Sequence, residues 1–358
     1  MQNPADAVKP GIRAMGGYTL VQPVCLVKLN QNECPFDVPE TIKREIVDRA
    51  MTRNWGRYPD FVPMEVKTRL GAHHGLGPES ILVGNGSNEL IQALFMATVS
   101  AGDRVVLSVP TFTLYSLMNT ALEGQLRAVH LRRDMTFDVD RLIEEGAQPG
   151  TKLVVLCAPN NPTGSVLDTQ NVARIAAAAA GWVVMDEAYV EFGETSHVSL
   201  LAEHPNLIVT RTFSKALGAA GLRIGYLVAH PDIAHEIDKV KLPYNVNLIS
   251  LIATERLLDE PEMLAERVAF IRSERARVFA RLQTLPGIRP YPSEANFILF
   301  ETDRPVKTVF NALIDRDVLI RDVSRYPMLE RAMRATIGTA AENDAFLDAL
   351  EDTLKHLP

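Results

Sequence analysis

Cysteine is scarce in this chain: three thiols, Cys25, Cys34 and Cys157, stand far apart in 358 residues. With no Cys-x-x-Cys pair, a zinc ribbon is excluded and no disulfide framework is available, so a reducing, cytoplasmic setting is expected. Long hydrophobic runs are missing as well. The longest apolar stretch, Ile175 to Met185, is too short to cross a bilayer, and Met1 to Gly17 shows no basic start followed by an apolar run. Neither membrane insertion nor export is expected. Charge of one sign never accumulates, and a net charge of −7 spread along the chain leaves no footprint for nucleic acid. The densest basic run, Arg272, Arg275 and Arg277, lies in a helical pattern with Glu274 and reads as a solvated helix face. His73 and His74 are adjacent, so they point to different sides of a helix, and no acidic cluster or HExxH accompanies them. They read as surface histidines, with no metal implied.

What is present is a globular composition, 47% hydrophobic and 23% charged, with room for a large domain and a smaller one. Short β-rich runs alternate with helical patterns at Ile81–Gly84, Arg104–Val109, Arg127–Leu131, Lys152–Cys157, Trp182–Met185, Leu207–Arg211 and Arg223–Val228. That alternation predicts an α/β fold built on a seven-stranded, mostly parallel sheet. Unbroken runs such as Leu153-Val-Val-Leu156 fit strands buried on both faces, and chemistry is expected beyond their carboxyl ends. From Asn247 to Leu285 the pattern turns long and helical, interrupted by Pro261 and closed by Leu285-Pro-Gly287. Strand-like Asn296–Phe300, Val318–Arg321 and Met333–Ile337 follow, which predicts a small α+β domain. The expected division is an N-terminal arm over 1–28, a large cofactor-binding domain over 29–246, and a connecting helix with the small domain over 247–358.

Lys215 stands in Arg211-Thr-Phe-Ser-Lys-Ala-Leu-Gly-Ala-Ala-Gly-Leu-Arg223. A lysine forms a Schiff base with an aldehyde, while hydroxyls and a guanidinium nearby hold a phosphate; pyridoxal 5′-phosphate carries both groups. Gly84-Asn-Gly-Ser-Asn-Glu-Leu90 follows a strand and opens an apolar helix. Its glycines allow close backbone approach, Ser87 is placed to cap the helix, and the N–H groups of Ser87 and Asn88 can face an anion. The same residues also suit an ordinary turn and cap. Asn161, in Asn160-Asn-Pro-Thr-Gly164, falls just beyond a strand and can hydrogen-bond a phenolic oxygen. Asp186 ends an apolar strand, where a carboxylate is costly unless paired; a protonated pyridine nitrogen is a suitable partner, and Tyr189 can then bond the ring hydroxyl.

Taken in order, Asn161-Pro-Thr-Gly, Asp186-Glu-Ala-Tyr and Ser214-Lys215 with Arg223 resemble the fold-type-I pyridoxal-phosphate aminotransferases. Among these the chain is most similar to the histidinol-phosphate aminotransferases, through Leu29-Asn-Gln-Asn-Glu33, Arg57-Tyr-Pro-Asp60, the Gly-Leu-Arg ending of the lysine motif and Met333-Arg-Ala-Thr-Ile-Gly338. The resemblance implies Lys215 as Schiff-base lysine, Asp186 as partner of the ring nitrogen, and Asn161 with Tyr189 on the ring hydroxyl. It implies that Ser87, Asn88, Thr212, Ser214 and Arg223 hold the phosphate, with Tyr58 reaching it from the neighbouring subunit of a homodimer whose sites are shared. Phe112 falls where an aromatic ring stacks on the cofactor. Tyr18, Arg321 and Arg334 are the implied substrate ligands. Phe112 stands where a tyrosine is frequent and Asn88 where an aspartate is; stacking survives the first change, and a hydroxyl contact is lost.

The expected reaction is a two-step amino transfer between a small-molecule amine and a 2-oxo acid, histidinol phosphate with 2-oxoglutarate in histidine biosynthesis. Lys215 acts as anchor and base, which requires its pKa to fall from about 10.4. An aromatic amino acid aminotransferase is the alternative, then a phosphothreonine decarboxylase of the same fold. Outside enzymes, a cofactor-binding regulatory protein remains, but no extra module or basic stretch accompanies the fold.

Overall fold

The structure, a computed structural model, describes residues 3–16 and 23–357. Its strands are β1 (Val27–Lys28), β2 (Ile81–Gly84), β3 (Arg104–Val109), β4 (Gln125–His130), β5 (Thr151–Cys157), β6 (Trp182–Asp186), β7 (Leu207–Thr212), β8 (Gly225–Ala229), β9 (Ile288–Pro290), β10 (Phe297–Thr302), β11 (Val318–Leu319), β12 (Arg321–Asp322) and β13 (Ala332–Thr336). Seven of them form one sheet in the order β2-β8-β7-β6-β5-β3-β4. The pairs from β7 through β6, β5 and β3 to β4 are parallel, while β8 runs antiparallel to both β7 and β2.

The apolar runs follow from burial on both faces. Alternate side chains of a strand point to opposite sides. On β5 and β6, Val154, Leu156, Val183 and Met185 join a cluster with Ile42, Ile46 and Leu70, whereas Leu153, Val155 and Val184 join another with Leu90, Leu94 and Phe95. The first set of partners comes from helices Glu40–Met51 and Met64–His73, the second from helix Ser87–Thr98. Helices thus cover both faces, and only the strand ends are open to ligand.

A second, antiparallel sheet has the order β12-β13-β10-β9. It encloses its own core around Phe297, Phe300 and Phe346, shared with helices Val306–Ile314, Pro261–Gln283 and Ala340–His356. Two details depart from the sequence expectation. Strand β9 carries a charge and a proline in three residues and was not expected. The run Val318–Arg321 divides at Ile320: β11 pairs in parallel with β1, and β12 pairs with β13. Pro261 interrupts the helical stretch by opening its second helix, where its missing N–H costs nothing.

Of the arginine run, Arg277 lies on an exposed helix face as expected, but Arg272 and Arg275 do not. Arg272 donates to the carbonyl oxygens of Phe192 and Gly193, and Arg275 to those of Phe192 (3.1 Å) and Ala295 (2.9 Å). These side chains tie the long helix Pro261–Gln283 to the loop after β6. His73 is exposed as expected, whereas His74 is half-buried: its Nε2 lies 3.0 Å from the Tyr226 hydroxyl, and burial, aided by Arg211, pushes its pKa down to about 4. Among residues before Leu29, helix Pro10–Ala14 lies against helix Leu114–Ala121, and Lys9 donates to the Ala121 carbonyl at 3.2 Å.

Candidate active site

The carboxyl ends of β5, β6 and β7 open into a cavity of about 500 Å³, the size of a small-molecule site. Each end brings one part of the chemistry. Lys215 follows β7, and its ammonium donates to the Gln31 carbonyl at 3.1 Å. Burial, followed by the nearby Arg334 guanidinium, lowers its pKa to about 8. Labelling of Lys215 by a small amine-directed aldehyde should therefore rise with pH and level off, because only the neutral amine is nucleophilic. The midpoint is expected near about 8; a midpoint at the ordinary 10.5 would remove the physical basis for a reactive lysine.

Asp186, at the last position of β6, is buried. Its Oδ2 accepts from the Tyr115 hydroxyl at 2.5 Å and its Oδ1 from the Ala188 N–H at 3.1 Å. Burial raises its pKa against both hydrogen bonds. Directly behind it, Glu187 is fully buried and meets Arg211 Nη2 at 2.8 Å, His197 Nδ1 at 2.9 Å and the His197 N–H at 2.6 Å. Burial pushes the Glu187 carboxyl up, but His197 and Arg211 together outweigh it and hold it below its ordinary range. This paired charge pins the strand end that presents Asp186.

Tyr189 projects next to these groups, with Lys215 Nζ 5.6 Å from its ring centre. Asn32 donates its amide N–H to the Tyr189 hydroxyl at 3.0 Å. Burial raises the Tyr189 pKa, so the phenol keeps its proton. Asn161, beyond β5, accepts a hydrogen bond from Arg334 Nη1 through its Oδ1. Arg334 also donates to the Asn30 carbonyl at 2.9 Å, and it sits opposite Arg321 in the β12–β13 register. Both arginines line the cavity, as does Phe112.

The anion cradle forms where β2 and β7 end beside the start of β8. Gly86, with φ of +81°, is the N-cap of helix Ser87–Thr98, so Ser87 is the first helical residue and does not cap it; Glu89 reaches back to the Asn85 N–H at 2.6 Å. A Cβ on Gly225 would lie 2.2 Å from the Ser87 nitrogen, so the bare backbone there lets the helix start approach the end of β7. The Thr212 hydroxyl lies 3.0 Å from that of Ser214, which accepts from Arg223 Nη1 at 3.3 Å. Asn88, Thr212, Ser214 and Arg223 all line the cavity.

Two expected site residues are not in this gathering. Tyr58 is 79% exposed, stacks on Tyr244 with ring centres 4.5 Å apart, and lines a separate groove. Tyr18 lies outside the described residues. Sequence reasoning missed Asn32 and Tyr115. Asn32 was quoted within a motif but given no role; Tyr115 stands three residues after Phe112, in the first turn of the helix that follows it.

A lysine, a buried carboxylate and a helix start, all at the carboxyl edge of a mostly parallel seven-stranded sheet, define a fold-type-I α/β enzyme. The family model described as "Aminotransferase class I and II" matches residues 25–350. A histidinol-phosphate aminotransferase of Prosthecochloris aestuarii is 40% identical over 325 residues, covering 90% of this chain and 91% of that protein. One of Chlorobaculum tepidum is 38% identical over 326 residues, covering 91% and 93%. The crystal structure of histidinol-phosphate aminotransferase from Sinorhizobium meliloti, in complex with pyridoxal-5′-phosphate, superposes with a TM-score of 0.89 at 26% identity, covering 99% of each chain. The chain belongs to the class I and II aminotransferases.

Proposed function

We propose that the chain transfers an amino group from histidinol phosphate to a 2-oxo acid, 2-oxoglutarate, with pyridoxal 5′-phosphate as cofactor, as a step of histidine biosynthesis. The observation that carries the substrate class is the pair Arg321 and Arg334, neighbours across β12 and β13 on the wall of the cavity that contains Lys215. Guanidinium groups hold carboxylate and phosphate through paired N–H donors, and the relatives' activity fits a substrate with such a group.

The residues suit the cofactor. Asp186 is a buried carboxylate whose hydrogen-bond partners are both neutral, as a cationic ring nitrogen requires. The bare backbone at Gly225 keeps the helix start close to Thr212 and Ser214. When bound, pyridoxal phosphate supplies an aldehyde for the substrate amine and a protonated ring that withdraws electrons from the α-carbon. In this assignment the N–H groups of Ser87 and Asn88, with Thr212, Ser214 and Arg223, hold the phosphate. Asp186 pairs with the ring N–H, Asn161 and Tyr189 hold the ring hydroxyl, and Phe112 covers a ring face. Lys215 would anchor the aldehyde, and its amine, with its pKa lowered to about 8, would hold and move the proton at the substrate α-carbon. Arg334, Arg321 and Tyr18 would orient the amino donor by its phosphate and the 2-oxo acid by its carboxylates.

The substrate is tested by comparing kcat/KM for histidinol phosphate, histidinol and phenylalanine in the wild type and in Arg334→Ala. Loss of the phosphate is expected to lower kcat/KM at least about 100-fold, since the charge-assisted hydrogen bonds that its oxygens would accept from the cavity's guanidinium groups are lost. Equal constants for histidinol and its phosphate would replace this substrate with the aromatic amino acids.

The further organisation belongs to the same proposal: an arm over 1–28, a cofactor domain over 29–246, a small domain over 247–358, a cytoplasmic setting and a homodimer with shared sites. Among the described residues no helix is long and apolar enough to cross a membrane. Trp55, Tyr58, Phe61 and Leu242 are 60% or more exposed, an apolar surface that a second copy would cover. Tyr58 then reaches the partner's phosphate cradle. Mixing Tyr58→Ala with Lys215→Ala subunits should regain activity, because one site of each mixed dimer carries neither change. A fully active monomer in sedimentation would overturn shared sites.

A further inference from the structure

Behind the cavity wall, Tyr115 has no exposed surface. It lies in the opening turn of helix Leu114–Ala121, and its hydroxyl donates to Asp186 Oδ2 at 2.5 Å. The same ring meets Phe112 edge-on, with centres 5.8 Å apart and planes at 87°. We propose that Tyr115 is a positioning residue for amino transfer: it fixes the Asp186 carboxylate in the rotamer that faces the ring nitrogen of pyridoxal phosphate, and braces the Phe112 ring that covers the cofactor.

The geometry leaves Asp186 little freedom. One oxygen is held by the Tyr115 hydroxyl and the other by the Ala188 N–H, so the carboxylate plane is fixed by two donors from different elements. Burial, then the Asp186 charge, pushes the Tyr115 phenol well above its ordinary pKa, so it stays protonated and can only donate toward the carboxylate. A charged acceptor with a short O–H donor makes one of the stronger hydrogen bonds available. Cys157, the partner of Asp186 in the β5–β6 register, is a weak donor, and burial keeps its thiol protonated. The Thr210 hydroxyl also lies against this carboxylate, but Tyr115 has the larger effect on it and makes the 2.5 Å contact.

This inference rests on the proposed pairing of Asp186 with the cofactor, and a double-mutant cycle separates the two. Tyr115→Phe keeps the ring and removes the donor. It is expected to lower kcat about tenfold or more with KM for the amine changed less than about threefold, the size of one hydrogen bond to a charged group. It should also weaken binding of pyridoxal phosphate to the cofactor-free protein, read by fluorescence titration. In an Asp186→Asn background the same change should cost less than about threefold, because Tyr115 then has no carboxylate to hold. Tyr115→His, which returns a ring N–H donor, should bind the cofactor more tightly than Tyr115→Phe. Equal losses from Tyr115→Phe in both backgrounds, or unaltered kcat and cofactor affinity in the wild-type background, would overturn the positioning role. Full activity in Asp186→Asn alone would instead overturn the pairing on which it rests.

Discussion

Replacing Lys215 by alanine is expected to lower turnover by about four orders of magnitude, the combined loss of a nucleophile and a positioned base. No neighbour can take over. The Tyr189 phenol has its pKa raised by burial and is held by Asn32, and Arg334 is permanently charged. The fold should survive, since the Lys215 ammonium makes a single described hydrogen bond, to the Gln31 carbonyl. Borohydride reduction of the wild-type holoenzyme followed by peptide mapping should place the cofactor label on Lys215. A label on another lysine, or residual turnover within tenfold of the wild type, would remove Lys215 from the centre of the chemistry.

Asp186→Asn is expected to retain the cofactor and lose about 100- to 1,000-fold in kcat, the range seen when one preorganised electrostatic contact is removed from a buried site. The substitution conserves shape, so Tyr115 and the Ala188 N–H keep an acceptor nearby, while the negative charge disappears. Without that charge the ring nitrogen is no longer held protonated and electron withdrawal from the α-carbon weakens. Single-turnover absorbance measurements with amine alone would show it as a slowed half-reaction with normal cofactor content. Wild-type rates in the variant would rule out the electron-sink role of Asp186.

Most strands of the large sheet were legible because they are buried on both faces and read as apolar runs, Leu153 through Leu156 most clearly; the edge strand β4, where only Val129 is buried, is the exception. Their directions were less visible. Strand β8 is antiparallel because the connection from Thr212 to Gly225 is filled by the lysine motif and a short 3-10 turn, Ala220–Leu222, in place of a crossover helix. Strand β9 escaped because three residues containing Arg289 and Pro290 offer no period. Asp186 and Asn161 were readable because polar groups stand at strand ends where burial makes them costly, Lys215 and the exposed Arg223 because hydroxyls and a guanidinium flank a lysine in one motif. Tyr115 and Asn32 were hidden for the opposite reason: a tyrosine on an apolar helix and an asparagine in a loop are ordinary, and only the fold brings them to Asp186 and Tyr189. The arginines at 272 and 275 misled because helical spacing reveals a face but not the backbone carbonyls that another loop places against it.

The contact from Arg334 to Asn161 has a consequence for how the two ends of the cavity communicate. An amide has one acceptor end and one donor end. With Oδ1 already committed to Arg334, the Asn161 side chain is left presenting Nδ2, so its polarity toward the proposed ring hydroxyl is decided by the small antiparallel sheet. An anion that settles on Arg334 competes for the same guanidinium and loosens that grip. In the proposed assignment, substrate arrival would then be felt at the cofactor oxygen through one side chain, and replacing Arg334 should disturb the cofactor's absorbance even before any amine is added.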